Sequence, residues 1–179
     1  VVTELAKRGH EITFFGESFS GDIPSSVKCV KVRKNIFSFS HTVTFAENVR
    51  KIINPRNFDV IFAICRYYPA DIVRVTEHLY PVWMKMAYSW IARFNPRHSG
   101  ILKLEKKVYS TENAGYVMTI ADMMREQVSE VYGYPKDKIF TIRNGVSREL
   151  FYLPSAEERA VLRSKYGIPE NSFAFLFAA

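Results

Sequence analysis

Long apolar runs, cysteines and phosphate-cradling motifs are what this sequence has least of. No apolar stretch approaches the ~20 residues that a membrane-spanning helix requires, so no segment is expected to cross a bilayer. Two cysteines, Cys29 and Cys65, are too few for a disulfide framework and fit a reducing compartment. No basic segment followed by a long apolar stretch marks a secretory signal. The four histidines, His10, His41, His78 and His98, form no H-x-x-x-H pair, and there is no C-x-x-C, so metal-ligand spacing is missing. Neither GxGxxG nor GxxxxGK[ST] occurs, which argues against a free-standing nucleotide-binding module. Repeats and low-complexity segments are also absent.

What is present is a globular composition. The 179 residues are 47% apolar and 24% charged, with eight Gly and eight Pro, which excludes a disordered or collagen-like chain. The length suits one domain, or one domain plus part of another. With 25 Lys+Arg against 18 Asp+Glu, the formal charge is +7. A basic balance is the electrostatic footprint of nucleic-acid binders. No helix-turn-helix, zinc finger, RNP-like strand or KH-type GxxG accompanies it, so no nucleic-acid partner is expected.

Short β-rich runs alternate with helix-length segments. VVTELAKRGH opens the chain in a helical pattern that turns at Gly9-His10, and Glu11 to Phe15 is a strand. Phe19 to Ser26 is a loop and Val27 to Arg33 a second strand. Thr42 to Ile53 is helical up to Asn54-Pro55, since a residue before proline avoids the helical region. FDVIFAI (58–64) has the pattern of a fully buried strand. Asp71 to Val75 is either extended or the entry to the next helix. Helical spacing covers Glu77 to Trp90 and Ser99 to Tyr109. GYVMTIA (115–121) is another buried strand, with Asp122 as N-cap of a helix that reaches Tyr132 and ends at Gly133. KIFTI (138–142) follows, stopped by Asn144-Gly145. Ser155 and Glu158 have capping-box spacing for a helix closed by Gly167. FAFLFAA, from Phe173, has the composition of a buried strand.

This alternation predicts an α/β fold, a doubly wound parallel sheet covered by helices on both faces, with ligands at the carboxyl ends of the strands. Both ends look cut, so a fragment of a longer protein is expected; the alternative is a short protein whose last strand completes the sheet.

The ordered set in 117–151, VMTIADMMREQVSEVYGYPKDKIFTIRNGVSRELF, resembles the end of the N-terminal domain of GT-B glycosyltransferases of family 4. Residues 1–15 resemble that domain's first helix and second strand, and 163–179 the opening of its C-terminal domain. DIVRVTEHLYPVWM (71–84) is similar to a subgroup related to lipopolysaccharide core glucosyltransferases. There, Thr76-Glu77-His78 replaces a Gly-rich turn, the subgroup's His falls on Tyr80, and Ser147 stands where the family usually has Asp.

The resemblance implies a Rossmann-like, acceptor-side domain over 1–146 that lacks the family's first strand. Residues 147–179 would be a linker and the truncated start of a nucleotide-sugar domain. It further implies a retaining, metal-independent transfer of a hexose from a nucleotide sugar, UDP- or GDP-linked, with no resident cofactor. The acceptor would be a saccharide or glycolipid, of lipopolysaccharide core type. The location would be cytoplasmic, peripheral on the inner face of the cell membrane, and the fragment alone would be inactive.

Candidate residues follow. His78, Glu77 and Tyr80 are the catalytic candidates; His78 hydrogen-bonds a sugar hydroxyl or the transferring centre, or is an exposed helix residue. Tyr80 can hydrogen-bond a sugar but is a poor general base near neutral pH. Arg66, Tyr67 and Tyr68 line an acceptor cleft, aromatic faces suiting sugars, or are loop residues without that role. Asp71 and Arg74 shape the acceptor pocket or form an ion pair. Asn144 and Gly145 contact the donor, or make only a turn in which Gly allows positive φ. Cys65 fits inert core better than nucleophile. The basic excess is local: Lys85, Arg93, Arg97, Lys103, Lys106 and Lys107 stand against Glu105 and interleave with Trp83, Trp90, Ile91 and Phe94. That mixture suits an anionic membrane surface or a phosphorylated lipid-linked acceptor, or consists of core aromatics under a solvated basic face.

Overall fold

The computed structural model describes residues 2–33, 40–91, 95–149, 151–175 and 177. They fall into two compact units, Val1–Arg143 and Asn144–Ala179.

In the first unit, α1 (Val2–Lys7) ends at Gly9, whose φ of 85° is open to glycine without steric cost. Strands β1 (Ile12–Gly16) and β2 (Val27–Lys31) then pair in parallel, Phe14 opposite Cys29. Helix α2 (His41–Ile52) stops ahead of Asn54-Pro55, and Asn54 Oδ1 accepts the Arg56 N–H at the head of a 3₁₀ turn. Strands β3 (Phe62–Ala63), β4 (Ala70–Val75), β5 (Ala114–Thr119) and β6 (Ile139–Thr141) form a second, wholly parallel sheet in that spatial order. Between β4 and β5 the chain makes α3 (Tyr80–Ala87) and α4 (Pro96–Val108); between β5 and β6 it makes α5 (Asp122–Tyr132).

One face of the four-stranded sheet is the core. Val73, Val117 and Ile139 stand in register across it and pack with Ala46 and Val49 of α2, Leu104 and Val108 of α4, and Met124 and Val128 of α5. Thr119 and Thr141, next in register, pair their hydroxyls at 3.2 Å. The opposite face carries Tyr116 and Phe140, whose rings meet at a tilt with centroids 5.5 Å apart and which are about half exposed. Gly115 is required by close approach, since a Cβ there would stand 2.7 Å from the Asp71 carbonyl oxygen of β4.

The parallel α/β expectation holds, with several corrections. Among the described residues β1 and β3 do not pair; residues of both line an apolar cavity of about 120 Å³ with Val49, Phe58 and Cys65. The 58–64 run is therefore not a fully buried strand. Only Phe62–Ala63 pair, on the β4 side alone, and Val60 and Ile64 are exposed. Asp71–Val75 resolves as extended, within β4. In 115–121 the strand is not buried throughout: Gly115 and Tyr116 are open, and from Val117 to Ile120 buried and half-buried residues alternate, as the two faces of a strand do. Ala121, not Asp122, is the N-cap of α5; Asp122 is its first residue and accepts from Arg143 at 2.7 Å. Gly133, at φ 65°, closes α5 as expected.

The second unit contains α6 (Ala156–Lys165). Its capping box is complete: Ser155 Oγ accepts the Glu158 N–H at 3.2 Å, and Glu158 Oε2 accepts the Ser155 N–H at 2.8 Å. Past Gly167, Arg163 donates to the Ser172 carbonyl at 2.6 Å and to its hydroxyl at 3.0 Å. The buried strand expected from Phe173 does not form among the described residues: Phe173 and Phe175 are 86% and 93% exposed. An apolar run becomes a strand only where another strand takes its backbone groups, and this unit has none among the described residues.

Candidate functional site

Strand β4 ends at Val75, and Thr76–Leu79 form a loop before α3 starts at Tyr80, with Pro81 in its first turn. The expected helix from Glu77 thus begins three residues late. Glu77 and His78 lie on the loop that follows the carboxyl end of β4, which removes the alternative of His78 as an exposed helix residue. His78 is half-buried, and its Nδ1 is enclosed without a hydrogen-bond partner among the described residues.

Glu105 organises the surroundings of this loop. It sits on the core face of α4, 1% exposed, and accepts three hydrogen bonds. Arg66 Nε donates to Oε1 at 2.9 Å; the Tyr80 backbone N–H and the Tyr132 hydroxyl donate to Oε2 at 2.8 and 2.6 Å. Arg66 also pairs through Nη1 with Glu77, and its guanidinium lies 5.6 Å from the centre of the Tyr80 ring. The Tyr80 hydroxyl is 2.7 Å from Nδ1 of His98, which is buried at the start of α4. Trp83 and Tyr88 complete an aromatic group around Tyr80 and His98.

Burial alone would lower the Arg66 pKa, but the charges of Glu105 and Glu77 more than reverse it, so the guanidinium stays charged. Burial pushes the Tyr132 phenol up, and its bond to Glu105 adds to this; Tyr109 is raised by burial and then by the Glu105 charge. Tyr80 is raised by burial and then by Tyr88. All three phenols are neutral near pH 7. Arg66 thus faces two carboxylates, Glu105 and Glu77, beside the Tyr80 ring.

The model of Glycosyltransferase Family 4 matches residues 1–150. The chain belongs to this family. No curated relative matches this family 4 glycosyltransferase chain. Among solved structures it is similar to WaaG, described as a glycosyltransferase involved in lipopolysaccharide biosynthesis, at a TM-score of 0.79 and 16% identity over 94% of this chain and 46% of that one. A glycosyltransferase from Rickettsia africae ESF-5 matches at a TM-score of 0.42 and 16% identity, over 95% of this chain and 45% of that one. The chain thus spans under half the length of either. The WaaG likeness shows the fold of the family 4 chain to be the Rossmann-like N-terminal half of a GT-B enzyme.

Of the remaining candidates, the structure brings few to this loop. Tyr67 is 4% exposed in the core of the family 4 chain and lines the apolar cavity beside β1 and β3, not the loop after β4. The Tyr68 ring is taken by cations, Arg50 at 4.6 Å and Lys107 at 5.7 Å, and its hydroxyl accepts from Arg50 at 3.1 Å. Asp71 stands at the amino end of β4 and accepts the Ile61 N–H at 2.7 Å. Arg74, three residues on, projects from the opposite sheet face, so the two form neither an ion pair nor one pocket. Asn144 and Gly145 belong to the second unit and are exposed; Gly145 does not have positive φ. Cys65 as a residue is exposed, yet the burial around its thiol pushes it up to about 11, which makes it a poor nucleophile.

Lys85, Arg97, Lys103, Lys106 and Lys107 are exposed, while Arg93 and Phe94 lie outside the described residues. Trp90 is 68% exposed, with Met86 and Ile91 similarly open, so the core alternative does not hold for them. Among the described residues no group of three His, Cys, Asp or Glu is placed to hold a metal, and no helix is long and apolar enough to cross a membrane.

Glu105, His98 and Tyr132 were not among the sequence candidates. A trace of the first existed: it interrupts the apolar stripe of Ile101, Leu104 and Val108 on α4. In composition it is only the lone acid in a basic stretch.

Proposed function

We propose that these residues form the acceptor-side lobe of a retaining glycosyltransferase that moves a hexose from a UDP- or GDP-sugar to a saccharide or glycolipid acceptor of lipopolysaccharide core type. Such a transfer needs the leaving diphosphate stabilised and the acceptor hydroxyl held against the anomeric carbon. The observation that carries the reading is the group beyond β4. Arg66, Glu77 and Tyr80 offer hydroxyl-matched donors and acceptors at the strand end where doubly wound folds hold ligands, in a chain of family 4. In this scheme the donor phosphate takes the acceptor proton, so the lobe needs no metal, no cofactor and no strong base. A phenol, a guanidinium and the His78 imidazole, whose Nδ1 has no partner among the described residues, orient the sugar.

The donor-binding groups belong to a second lobe outside these residues, and Asn144 and Gly145 lead toward it. The unpaired edges of β1 and β3 around an apolar cavity favour a central strand outside these residues as well. Exposed Trp90, Met86 and Ile91 beside Lys85 favour a peripheral site on the anionic inner face of the membrane.

The test supplies the full-length protein with labelled UDP-glucose or GDP-mannose and a core saccharide, and reads the anomeric configuration of the product. Retention is expected, with negligible transfer by residues 1–179 alone. His78→Ala is expected to lower turnover at least tenfold, on the scale of a lost positioning contact. Transfer with inversion, or robust turnover by residues 1–179, would refute the proposal; a wild-type rate in H78A would remove His78 from it.

A further inference from the structure

The buried face of α4 consists of His98, Ile101, Leu104, Glu105 and Val108. Two polar residues thus occupy a stripe that packing alone would fill with hydrocarbon. A carboxylate taken out of water is costly even when paired, and replacing a whole buried ion pair by apolar residues of similar volume is often neutral or better for stability. Packing therefore gives no account of Glu105 or His98, whereas their partners do. Both reach the same residue from different ends. Glu105 takes the Tyr80 backbone N–H at 2.8 Å, and His98 Nδ1 meets the Tyr80 hydroxyl at 2.7 Å.

The first of these bonds has a further meaning. Tyr80 is the first residue of α3, and the N-cap, Leu79, supplies no side-chain acceptor. The opening N–H groups of a helix have no partner within it. Glu105 of another helix stands in for the cap, and its negative charge suits a helix N-terminus. The same carboxylate fixes Arg66, whose guanidinium lies by the Tyr80 ring.

We propose that Glu105 and His98 are positioning residues that hold Tyr80 at its backbone and at its phenol, and so preset the sugar-facing group of the acceptor wall. The inference rests on the glycosyl-transfer reading above. With the phenol O–H donating its hydrogen bond to Nδ1, the lone pairs of the Tyr80 oxygen are left to accept from a sugar hydroxyl. Tyr80 would touch the acceptor; Glu105 and His98 act only through it.

The test uses the full-length protein and the variants E105M, E105Q, H98Q, Y80F and Y80F/H98Q. Thermal midpoints, kinetics with UDP-glucose and a core saccharide, and ¹⁵N spectra of labelled histidine are the readouts. E105M takes the buried acceptor from the Arg66 cation and from the Tyr80 and Tyr132 donors, so it is expected to lower the thermal midpoint, with kcat of the protein that still folds falling on the order of 10²-fold, the scale of an ångström's misplacement. Should E105M not fold, E105Q, which keeps one accepting oxygen, is expected to show the same kcat loss at smaller size. H98Q and Y80F are each expected to cost kcat, and the double variant no more than Y80F alone, as for residues acting as one unit. The His98 ring is expected to report an unprotonated Nδ1 whose signal moves in Y80F and in the folded Glu105 variant.

A Glu105 variant that leaves both kcat and the His98 signal unchanged would overturn the proposal, as would losses that multiply in the double variant. If the wild-type protein transfers no sugar, the glycosyl-transfer reading fails on its own, and the His98 signal still decides whether Glu105 and His98 hold Tyr80.

Discussion

Replacing Gly115 by alanine tests the close approach of β5 to the amino end of β4, the strand whose carboxyl end carries Glu77 and His78. A Cβ at residue 115 would stand 2.7 Å from the Asp71 carbonyl oxygen, 3.5 Å from its carbon and 3.6 Å from its Cα, and it must retreat to at least 3.0 Å. All three atoms are backbone, so no side chain can swing away. Asp71 is pinned on its other side as well, its N–H to the Ile61 carbonyl at 3.0 Å and its carboxylate to the Ile61 N–H at 2.7 Å. Strands β4 and β5 must then part locally from their ~4.8 Å spacing.

Overpacking of this kind costs about 1–3 kcal/mol. Stiffening the unfolded chain with alanine returns about 0.4–1 kcal/mol. The net expectation is a loss of roughly 1–2 kcal/mol, which for a chain of this size lowers the thermal midpoint by roughly 2–8 °C. Gly100 is the control. It lies within α4, where an added Cβ would meet only Val43 Cγ2 at 3.7 Å, an ordinary contact. Gly100→Ala should therefore stabilise, by about 0.5–1 kcal/mol. Urea and thermal melts of both variants decide the matter. A G115A midpoint at or above wild type, or a G100A loss as large as that of G115A, would refute the close-approach argument.

Two further outcomes are expected. The Tyr132 pKa is raised in the fold by burial and then by the Glu105 hydrogen bond, while the unfolded phenol ionises near ~10. The stability it contributes is therefore complete below pH ~10 and lost as pH rises toward the folded value. Denaturation midpoints at pH 8, 10 and 11 should fall more steeply for wild type than for Tyr132→Phe, and equal slopes would show that this phenol is not held neutral. Vesicle sedimentation should favour anionic over zwitterionic bilayers by about 30-fold if two basic residues engage, at ~1 kcal/mol each. Trp90→Ala should weaken that binding and 0.5 M salt should abolish the preference; equal partition onto both bilayers would exclude membrane docking through this surface.

Local chemistry alone determined where many elements stop and start. Gly9, Gly133 and Gly167 terminate helices at positive φ, Asn54-Pro55 closes α2, and Ser155 with Glu158 opens α6, because each depends on residues only a few positions apart. The alternation of strands and helices likewise carried the parallel α/β class. Tertiary structure decided the rest. Apolar composition marked 58–64 and the run from Phe173 as buried strands, but a strand exists only where a neighbour takes its backbone groups, and among the described residues of both runs only Phe62 and Ala63 have one.

The site shows the same division. Arg66 and Glu77 were named from their place beyond a strand and Tyr80 from the family resemblance, whereas the group that unites them was not legible. Glu105 meets Tyr80, Tyr132 and Arg66 from 25, 27 and 39 positions away in the chain. A carboxylate's meaning depends on which donors the folded backbone carries to it, and no spacing along the chain encodes that.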